Sequence, residues 1–436
     1  MKRLVLLGFV GVAWAGGLRA GTGAVKVTPP LGAPMAGYFS FRGVSGVHDD
    51  LWCRALVLES DGQRAALVAC DVIHLPDGVV QAARALIESG TGLSGRAVMM
   101  SATHAHTGPE VKGEYAEWLP GRIAESVRLA LGAMQPARLA AGEGEERTLT
   151  FNRRFVMTDG SVGWNPGKKN PKIVRAAGPV DARVGVVSVL GEDGSALATY
   201  VNYALHLDTV GGTEVSADYP YTMERMVSAA LGGTAMFTLG CAGNLNHIDV
   251  TTARPQKGHG EARRIGTVLA GQVVRASAGL EELPGAPLKV SSEVLELGWA
   301  AHTAEEVVWA KGVAAKYGQP NAGPFLEMVK AMRVLDVEAR KGGPLRAEVQ
   351  VVTVGRELAI VGLPGEIFTE LGMAIKARSP FRHTVVVSLA NGHLGYVPDS
   401  KAWGEGNYEV VTARCVEGSG EQLVDTAVKL LKEARP

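Results

Sequence analysis

The 436-residue sequence has little of three things that often indicate a function: cysteine, surplus charge and long apolar runs. Its four cysteines include no CxxC pair, so a disulfide framework is not expected, although one bridge stays open. Cys53, Cys70 and Cys241 lie in or beside apolar runs, where buried free thiols are common. Lys+Arg and Asp+Glu both number 44, which argues against a nucleic-acid partner held by phosphate neutralisation.

The first residues are typical of an export signal. Met1-Lys-Arg3 precedes a short apolar run at 4–12, and Ala13-Trp-Ala15 fits an A-x-A cleavage site. A second cut is possible after Ala20, and we take 1–20 as the signal and 21–436 as the mature domain. No stretch reaches the roughly 18 apolar residues of a membrane span. The protein is therefore predicted to be exported, periplasmic or secreted, with at most transient membrane-surface contact.

Strand and helix patterns alternate irregularly along the chain. Hairpins are predicted for 51–59 with 65–70 and for 184–190 with 196–203. Helical spacing of apolar positions occurs at 78–89, 115–134, 221–231, 260–277, 304–316, 324–340 and 422–433. This order favours an α/β fold of mixed β-sheets sandwiched by α-helices in a single catalytic domain, and it disfavours a regular βα barrel.

The clearest chemistry lies in Ser101-Ala-Thr-His-Ala-His-Thr-Gly-Pro109, after a strand predicted at 97–100. If the strand continues, alternate side chains share a face, so His104 and His106 point the same way, roughly 6–7 Å apart. Gly108-Pro109 would then end it. Two imidazoles directed at one space suit a divalent metal such as zinc. The alternative is a pair of hydrogen-bonded loop histidines.

Four further loops follow short apolar strands and carry polar groups, at 205–206, 240–247, 363–366 and 389–396. Active-site residues commonly lie on loops at strand ends. Glu366 is expected in the first turn of a helix that starts at residue 367, where a carboxylate also favours the helix dipole. Asp218 either orients a ligand histidine or caps the helix that follows it.

Five motifs of this chain resemble segments of the neutral, non-lysosomal ceramidases, in the same order. They are His104-Ala-His-Thr-Gly-Pro109 (similar to HTHSGP), Asn152-Arg153 (Asn-Arg-Ser-Pro), Pro364-Gly-Glu366 (PGE), the segment 391–396 that brings a tyrosine to the metal, and Tyr408-Glu409 (Tyr-Glu). The likeness runs from about Thr28 to the C-terminus, and the family's additional C-terminal immunoglobulin-like domain is expected to be absent.

The resemblance implies a Zn²⁺ site, completed by water, whose ligands are His104, His206, Glu366 and Tyr396. Zinc would supply hydroxide for attack on an amide carbonyl, as in hydrolysis of N-acylsphingosine to fatty acid and sphingosine. His106 is then the candidate acid or base for the leaving amine. Arg153 and Tyr408 are candidates to bind the carbonyl or to stabilise the oxyanion.

One segment departs from the family pattern. Where the family has Gly-Asp-Val-Ser-Pro, this chain has Gly243-Asn-Leu-Asn-His247, which places Asn246 at the position of the active-site serine and Asn244 at that of the aspartate. An asparagine amide donates hydrogen bonds but is no hydroxyl nucleophile. Asn246 is therefore a candidate catalytic residue only for chemistry that proceeds through zinc-activated water.

Two other functions remain open from the sequence. The first is hydrolysis of a different amide or ester, and the second is a non-catalytic, metal-containing protein that recognises a lipid or glycan. In each case the expected partner is a small lipid-like or amide molecule, and the oligomeric state is not predicted. His48, beside Asp49, is expected either to be structural or to contact a residue that binds the metal. His259 is expected to face solvent.

Overall fold

Two packed β-sheets form the centre of the structure, a computed structural model that describes residues 17–317 and 323–435. In chain order the strands are β1 (Arg19–Lys26), β2 (Gly46–Val47), β3 (Trp52–Ser60), β4 (Gln63–Cys70), β5 (Val98–Ala102), β6 (Gln135–Glu145), β7 (Phe151–Asn152), β8 (Arg154–Met157), β9 (Val162–Trp164), β10 (Ile173–Ala176), β11 (Arg183–Gly191), β12 (Ala196–Tyr203), β13 (Glu214–Val215), β14 (Thr234–Leu239), β15 (Leu245–Asn246), β16 (Glu281–Leu283), β17 (Leu288–Leu297), β18 (Leu345–Val354), β19 (Leu358–Gly362), β20 (Glu366–Ile367), β21 (His383–Val387) and β22 (Tyr396–Val397).

Helices cover the outer faces of these sheets and fill several of the connections. In chain order they are α1 (Asp77–Thr91), α2 (Gly113–Gly132), α3 (Tyr219–Leu231), α4 (His259–Ser277), α5 (Ala304–Ala314), α6 (Phe325–Arg340), α7 (Thr369–Arg378), α8 (Ser400–Glu405), α9 (Tyr408–Thr412) and α10 (Ser419–Ala434). Each helix predicted from the sequence is present, with ends that differ by a few residues.

The larger sheet has nine strands in the order β14-β12-β11-β6-β1-β3-β4-β5, with β16 also paired to β6. The smaller sheet has four, in the order β17-β18-β19-β21. Most neighbours are antiparallel, and both predicted hairpins are present as β3–β4 and β11–β12. Parallel pairs occur at β4–β5, β12–β14 and β19–β21. The carboxyl ends of these parallel strands lead into the loops that build the site.

Side-chain alternation divides the core into layers. On β3, Ala55 and Val57 pack with the helices outside the larger sheet, whereas Leu56 and Leu58 pack between the two sheets. Residues of β19 divide in the same way between the inter-sheet core and the helices α7 and α10. The α/β fold of mixed sheets sandwiched by helices is therefore confirmed.

Cys53 and Cys70 do not follow the expectation of buried free thiols. They are direct cross-strand neighbours on β3 and β4, and the structure joins them in a disulfide bond. The sequence did not indicate this pair because each cysteine lies in an ordinary apolar strand and only the hairpin register brings them together. Cys241 and Cys415 are buried and free, so for Cys241 the expectation is confirmed.

The first strand bears on the predicted signal peptide, of which residues 1–16 lie outside the described residues. Arg19 and Ala20 already belong to β1, where they pair with Glu59 and Leu58. A cut after Ala20 would remove this end of the strand, whereas a cut after Ala15 would leave it whole. The export signal itself stays a prediction. Within the described residues, no helix is long and apolar enough to cross a membrane.

The disulfide predicts a thiol count that is simple to measure. Unfolding the protein in denaturant without reductant should expose two titratable thiols per chain, from Cys241 and Cys415, and prior reduction should raise the count to four. The Cys53→Ser/Cys70→Ser variant should give two thiols under both conditions. Four thiols from the unreduced, unfolded wild type would show that the bond does not form.

Candidate metal centre

The loop that carries His104 leaves the larger sheet at the end of β5. The strand stops at Ala102. The amide of His104 then donates a hydrogen bond of 3.0 Å to the carbonyl of Val72, in the loop after β4. His104 has a positive φ of 79°. The prediction that strand alternation aligns His104 with His106 is therefore wrong, because the chain turns sharply before either residue. The two side chains converge through this turn instead.

Three imidazole nitrogens face one another at the centre of the site. The Nε2 atom of His104 lies 3.1 Å from Nε2 of His206 and 3.3 Å from Nε2 of His106, and the last two are 3.0 Å apart. Nitrogen ligands at the usual zinc distance lie roughly 3.3 Å from one another in a tetrahedral site. The triangle of nitrogens therefore has the size of one face of a zinc coordination shell.

The tautomer of His104 is set from outside the cluster. Its Nδ1 lies 2.7 Å from the Ile73 carbonyl oxygen, which only accepts hydrogen bonds, so Nδ1 carries the proton. Its Nε2 then presents a lone pair to the other two rings. Burial lowers the pKa of His106 to about 4 and the pKa of His206 well below its ordinary value. Neutral imidazoles are the form that binds metal.

Glu366 and Tyr396 lie on the segments that follow β19 and β21 of the smaller sheet. They are direct partners in the two-residue parallel pair β20–β22. Oε2 of Glu366 lies 3.3 Å from Nε2 of His104, is buried, and has no hydrogen-bond partner within the described part of the chain. The prediction that Glu366 begins a helix is wrong, since α7 starts at Thr369 and residues 366–367 pair as a strand. An orphaned, buried carboxylate oxygen beside lone pairs is a position that a cation would satisfy.

Arg153 is buried behind Tyr396 and Tyr408. Its Cζ lies 5.3 Å from the Tyr396 ring centre and 6.0 Å from that of Tyr408. Its Nε donates to Oε1 of Glu409 over 2.8 Å, and its Nη2 donates to the Gly243 carbonyl over 2.6 Å. Burial raises the pKa of Tyr396 well above its ordinary value, and the Arg153 charge opposes that effect. The guanidinium thus lies beside both tyrosine rings, while its Nε and Nη2 donors are bound to Glu409 and to the Gly243 carbonyl.

Glu409 holds Arg153 in place, a role that the sequence did not predict. It is completely buried and also accepts from Nη1 of Arg154 over 2.9 Å, so one carboxylate neutralises two adjacent guanidinium groups. Arg154 is itself almost fully buried and reaches Oε2 of Glu405 over 3.2 Å. The only signal in the sequence was the pairing of Arg153-Arg154 with a Tyr-Glu motif about 255 residues later.

Asn246 uses both polar atoms of its side chain within the fold. The amide nitrogen donates to Oδ1 of Asn165 over 2.8 Å, and the amide oxygen accepts from the Ile248 N–H over 3.0 Å. Asn244 is occupied as well, because its amide nitrogen donates to Glu370 and its oxygen accepts from the N–H of Thr369 at the start of α7. The structure thus places both asparagines beside the site as connectors of loops.

A cavity of about 480 Å³ opens from the histidine cluster and has the size of a small-molecule pocket. Its floor contains His104, His106, Glu366 and Tyr396, and its walls contain several aromatic and aliphatic side chains, among them Tyr38, Phe39, Phe41, Ile73, Val111, Met332 and Tyr408. His206 lies beneath this floor, and Asn246 is not among the described lining residues.

Tyr408 belongs to an aromatic wall at the side of the cavity. Its ring stacks on Trp164 with centroids 4.3 Å apart, lies 5.7 Å from the ring of Phe325, and meets the Tyr396 ring edge-on at 5.5 Å. The tyrosine predicted near the carbonyl therefore lies next to the predicted tyrosine ligand. Phe325 is the first residue of α6, which brings a distant helix to the site.

Two further contacts are made by Asp208 and by His393, a histidine that flanks the predicted site in the sequence. Oδ1 of Asp208 lies 3.9 Å from Nδ1 of His106 and accepts a hydrogen bond from the Tyr38 hydroxyl. His393 lies 3.8 Å from Oε1 of Glu366 and stacks on His74 with centroids 4.1 Å apart. Asp218 caps α3 and accepts from the amides of residues 209 and 210, so the helix-cap alternative for it is confirmed.

No protein-family model matches the chain. The curated neutral ceramidase of Pseudomonas aeruginosa is 24% identical over 499 aligned residues, which cover 94% of this chain and 72% of that protein. The crystal structure of neutral ceramidase from Pseudomonas aeruginosa superposes with a TM-score of 0.76 at 21% identity, over 96% of this chain and 75% of that one. The chain is similar to the neutral ceramidases in sequence and in fold. A structure of a ceramidase complexed with C2 gives a TM-score of 0.73 at 20% identity, over 96% of this chain and 76% of the other.

The fold similarity agrees with the family resemblance read from the five motifs. Because the relatives are longer than this chain, the similarity concerns the layered α/β part described above. At this level of identity the solved structures establish the fold, and the chemistry of the site has to be argued from its own residues.

The buried pair of arginines predicts that Glu409 is essential for stability. Glu409→Gln leaves Arg153 buried without a counter-charge and Arg154 with Glu405 alone, which should lower the free energy of unfolding by about 3–5 kcal/mol. Glu405→Gln is the matched control, because Glu405 binds the same Arg154 at a partly exposed position and should cost about 1 kcal/mol or less. Urea unfolding measures both, and equal losses would contradict the assigned role of Glu409.

Proposed function

We propose that this protein is a zinc-dependent hydrolase that cleaves the amide bond of a ceramide-like N-acyl lipid. The observation that carries the proposal is the convergence of the His104, His106 and His206 Nε2 atoms at the floor of an apolar-walled cavity. The relationship to neutral ceramidases supports the amide as the bond that is cleaved.

The donor set fits zinc. Imidazole nitrogens, a carboxylate and a phenol are ligands that Zn²⁺ accepts, and the orphaned oxygen of Glu366 marks a place for a cation. We propose that His104, His206, Glu366 and Tyr396 hold the ion. A site with nitrogen and oxygen donors and access to a cavity is typical of a catalytic rather than a structural zinc.

His106 is proposed to transfer protons rather than to bind the ion. Its Nε2 is close enough to the other nitrogens to act on the same reacting atoms, yet its ring lines the cavity, whereas His206 lies below it. Its Nδ1 faces Asp208 at 3.9 Å, and a carboxylate in that position stabilises an imidazolium when the ring takes up a proton. The leaving amine of the substrate would then receive that proton.

A bound zinc ion would polarise the substrate carbonyl and lower the pKa of a coordinated water molecule towards neutrality. Tyr408, on the cavity wall, is placed to donate a hydrogen bond to the carbonyl oxygen as its negative charge develops. Arg153 is proposed to act through the tyrosines, because Glu409 and the Gly243 carbonyl already take its Nε and Nη2. Its charge then stabilises negative charge on either phenol.

The walls of the cavity support an apolar substrate. Tyr408 and Phe39 line the cavity. Trp164 and Phe325, which are not among the described lining residues, pack behind them in a continuous aromatic stack, with Phe325 edge-on to Phe39 at 5.6 Å. Such a surface buries hydrocarbon favourably. A short-chain amide or ester is the second candidate substrate, because about 480 Å³ is the volume expected for a drug-sized ligand. Export through the N-terminal segment is part of the same proposal.

Removing the proposed ligands and the proposed proton carrier should have different effects. His104→Ala and His206→Ala should lose the zinc ion of this site and lower kcat/KM for a short-chain fluorescent ceramide by about a thousandfold or more. His106→Ala should keep its zinc and still lose most turnover. Metal analysis of each purified variant, together with the fluorescence assay, separates these outcomes.

His383→Ala provides the matched control, since this histidine lies near Glu281 and away from the cavity. It should keep both zinc and turnover. Chelation should abolish turnover by the wild type, and added zinc should restore it. A zinc-containing wild type that releases fatty acid from no amide or ester would favour the binding-protein alternative. Full activity of a His104→Ala protein that retains zinc would remove His104 from the ligand set.

Asn246 is proposed to be a positioning residue. Through Asn165 it holds the turn after Trp164, and Trp164 stacks on Tyr408. Asn246→Ala should therefore raise KM about fivefold to tenfold, the effect of roughly 1 kcal/mol from one lost hydrogen bond, with little change in kcat or zinc content. Asn170→Ala is the matched control in the same loop, where the side chain bonds Pro166 and Lys172, and it should leave KM unchanged. A large fall in kcat for Asn246→Ala would instead indicate direct participation in the chemistry.

A further inference from the structure

A second group of histidine and carboxylate side chains lies on the surface, outside the cavity. His48 and Asp49 follow β2, Glu214 begins β13, and His259 is the first residue of α4. Among the described residues, His48, Asp49 and His259 form one of two groups whose potential ligand atoms all lie within 4.8 Å of one another, and the other group is the catalytic histidine cluster. None of these side chains lines the cavity.

The two imidazoles of this group are close and nearly parallel. The ring centroids of His48 and His259 are 3.6 Å apart, with an angle of 29° between the planes. Nε2 of His259 lies 3.7 Å from Oε2 of Glu214, whose side chain is more than half exposed. The potential ligand atoms of His48, His259 and Asp49 thus lie within 4.8 Å of one another, and rotation of the exposed His48 side chain would turn its lone pair towards a shared ion. Solvent reaches the group, which leaves room for water to complete a coordination shell.

The backbone around the group is fixed before any ligand arrives. β2 pairs with β13, and the amide of His48 donates to the Val215 carbonyl over 2.9 Å. The start of α4 is held where the Gly258 amide donates to the Thr209 carbonyl over 2.8 Å. A fixed backbone limits the freedom that is lost on ion binding to rotation of the side chains, so such an arrangement favours binding.

Asp49 is the buried member of the group. It is 5% exposed, and its two oxygens accept from the Ser216 hydroxyl and the Ala217 amide, both over 2.7 Å. Each carboxylate oxygen retains a second lone pair that these bonds do not use. Asp49 is therefore able to face a cation while it stays anchored to the loop that follows β13.

We propose that His48, His259 and Asp49, with Glu214 at the rim, form a second site for a divalent transition-metal ion. Imidazole nitrogens select zinc, nickel or copper over calcium and magnesium, which prefer oxygen ligands alone. An ion bound here would tie β2, β13 and α4 together at the surface.

This site is connected to the catalytic loop by a short path. Ser216, which binds Asp49, forms a backbone bridge with Thr107, and the Thr107 hydroxyl donates to the Ser216 carbonyl over 2.9 Å. Thr107 directly follows His106. Occupation of the surface site is therefore expected to stiffen the segment that carries His106, while the reaction itself does not require it.

Counting bound zinc tests the proposal without reference to turnover. Wild type and variants are stripped with chelator, returned to micromolar zinc, desalted and analysed for metal per chain. The wild type should bind two equivalents, His48→Ala/His259→Ala one, and His104→Ala one. The combined triple variant should bind none, and the matched control His302→Ala should bind two. His48→Asn, at an exposed position, gives a second variant that leaves the fold intact and should also lose the surface equivalent.

Copper provides an independent readout of the ligands. In the His104→Ala background, one equivalent of Cu²⁺ should give an electron paramagnetic resonance spectrum with nitrogen coupling from two imidazoles, which disappears with His48→Ala/His259→Ala. If His48→Ala/His259→Ala binds as much zinc as the wild type, the proposal is overturned. If the wild type binds one equivalent that survives in His104→Ala and is lost with His48→Ala/His259→Ala, the surface site stands and the catalytic zinc fails.

Discussion

The arrangement of the site depends on residues 388–391, which follow β21 of the smaller sheet and join the two edges of the larger sheet. β5 and β14 are the edge strands of the nine-stranded sheet, and residues 388–391 bond to both. The Ser388 amide donates to the Leu239 carbonyl over 2.9 Å, and the Asn391 amide donates to the Met100 carbonyl over 2.8 Å. The two edges are thereby drawn to the same place. Loops that follow β5 and β12 then meet the loops of the smaller sheet.

This junction explains why residues far apart in the chain converge without a continuous element between them. Asn391 reinforces it, because its amide oxygen accepts from the Met100 N–H over 3.0 Å and its nitrogen donates to Gln350 over 2.7 Å. Gly243 allows the closest approach, since a Cβ there would lie 2.4 Å from the Glu366 carbonyl oxygen. The side chain of Glu366 is consequently fixed by backbone packing on one side and by β22 on the other, before any cation is bound.

The sequence indicated the candidate site residues, but it did not predict the backbone conformation that brings them together. Apolar periodicity identified the helices and both hairpins, because these depend on local spacing. It did not predict the turn at His104 or the short strand at Glu366, since both follow from hydrogen bonds to other loops, at Val72 and at Gly395. Asp208, and the two arginine partners of Glu409, were not predicted for the same reason, because these contacts are fixed only by the tertiary fold. The Cys53–Cys70 bond required a strand register that composition alone does not supply.

Asn244 and Asn246, which lie where the resemblance places the ceramidases' aspartate and serine, both hold loops in the fold. Asn244 holds the start of α7, directly after the strand that carries Glu366, and Asn246 holds the turn that presents Trp164 to Tyr408. Each contributes hydrogen bonds that keep a loop in place, a role for which an amide with both a donor and an acceptor is well suited. On the proposed function, the attacking oxygen comes from water and the proton passes through His106. The role of Asn244 and Asn246 is then to hold in place the segments next to Glu366 and Trp164.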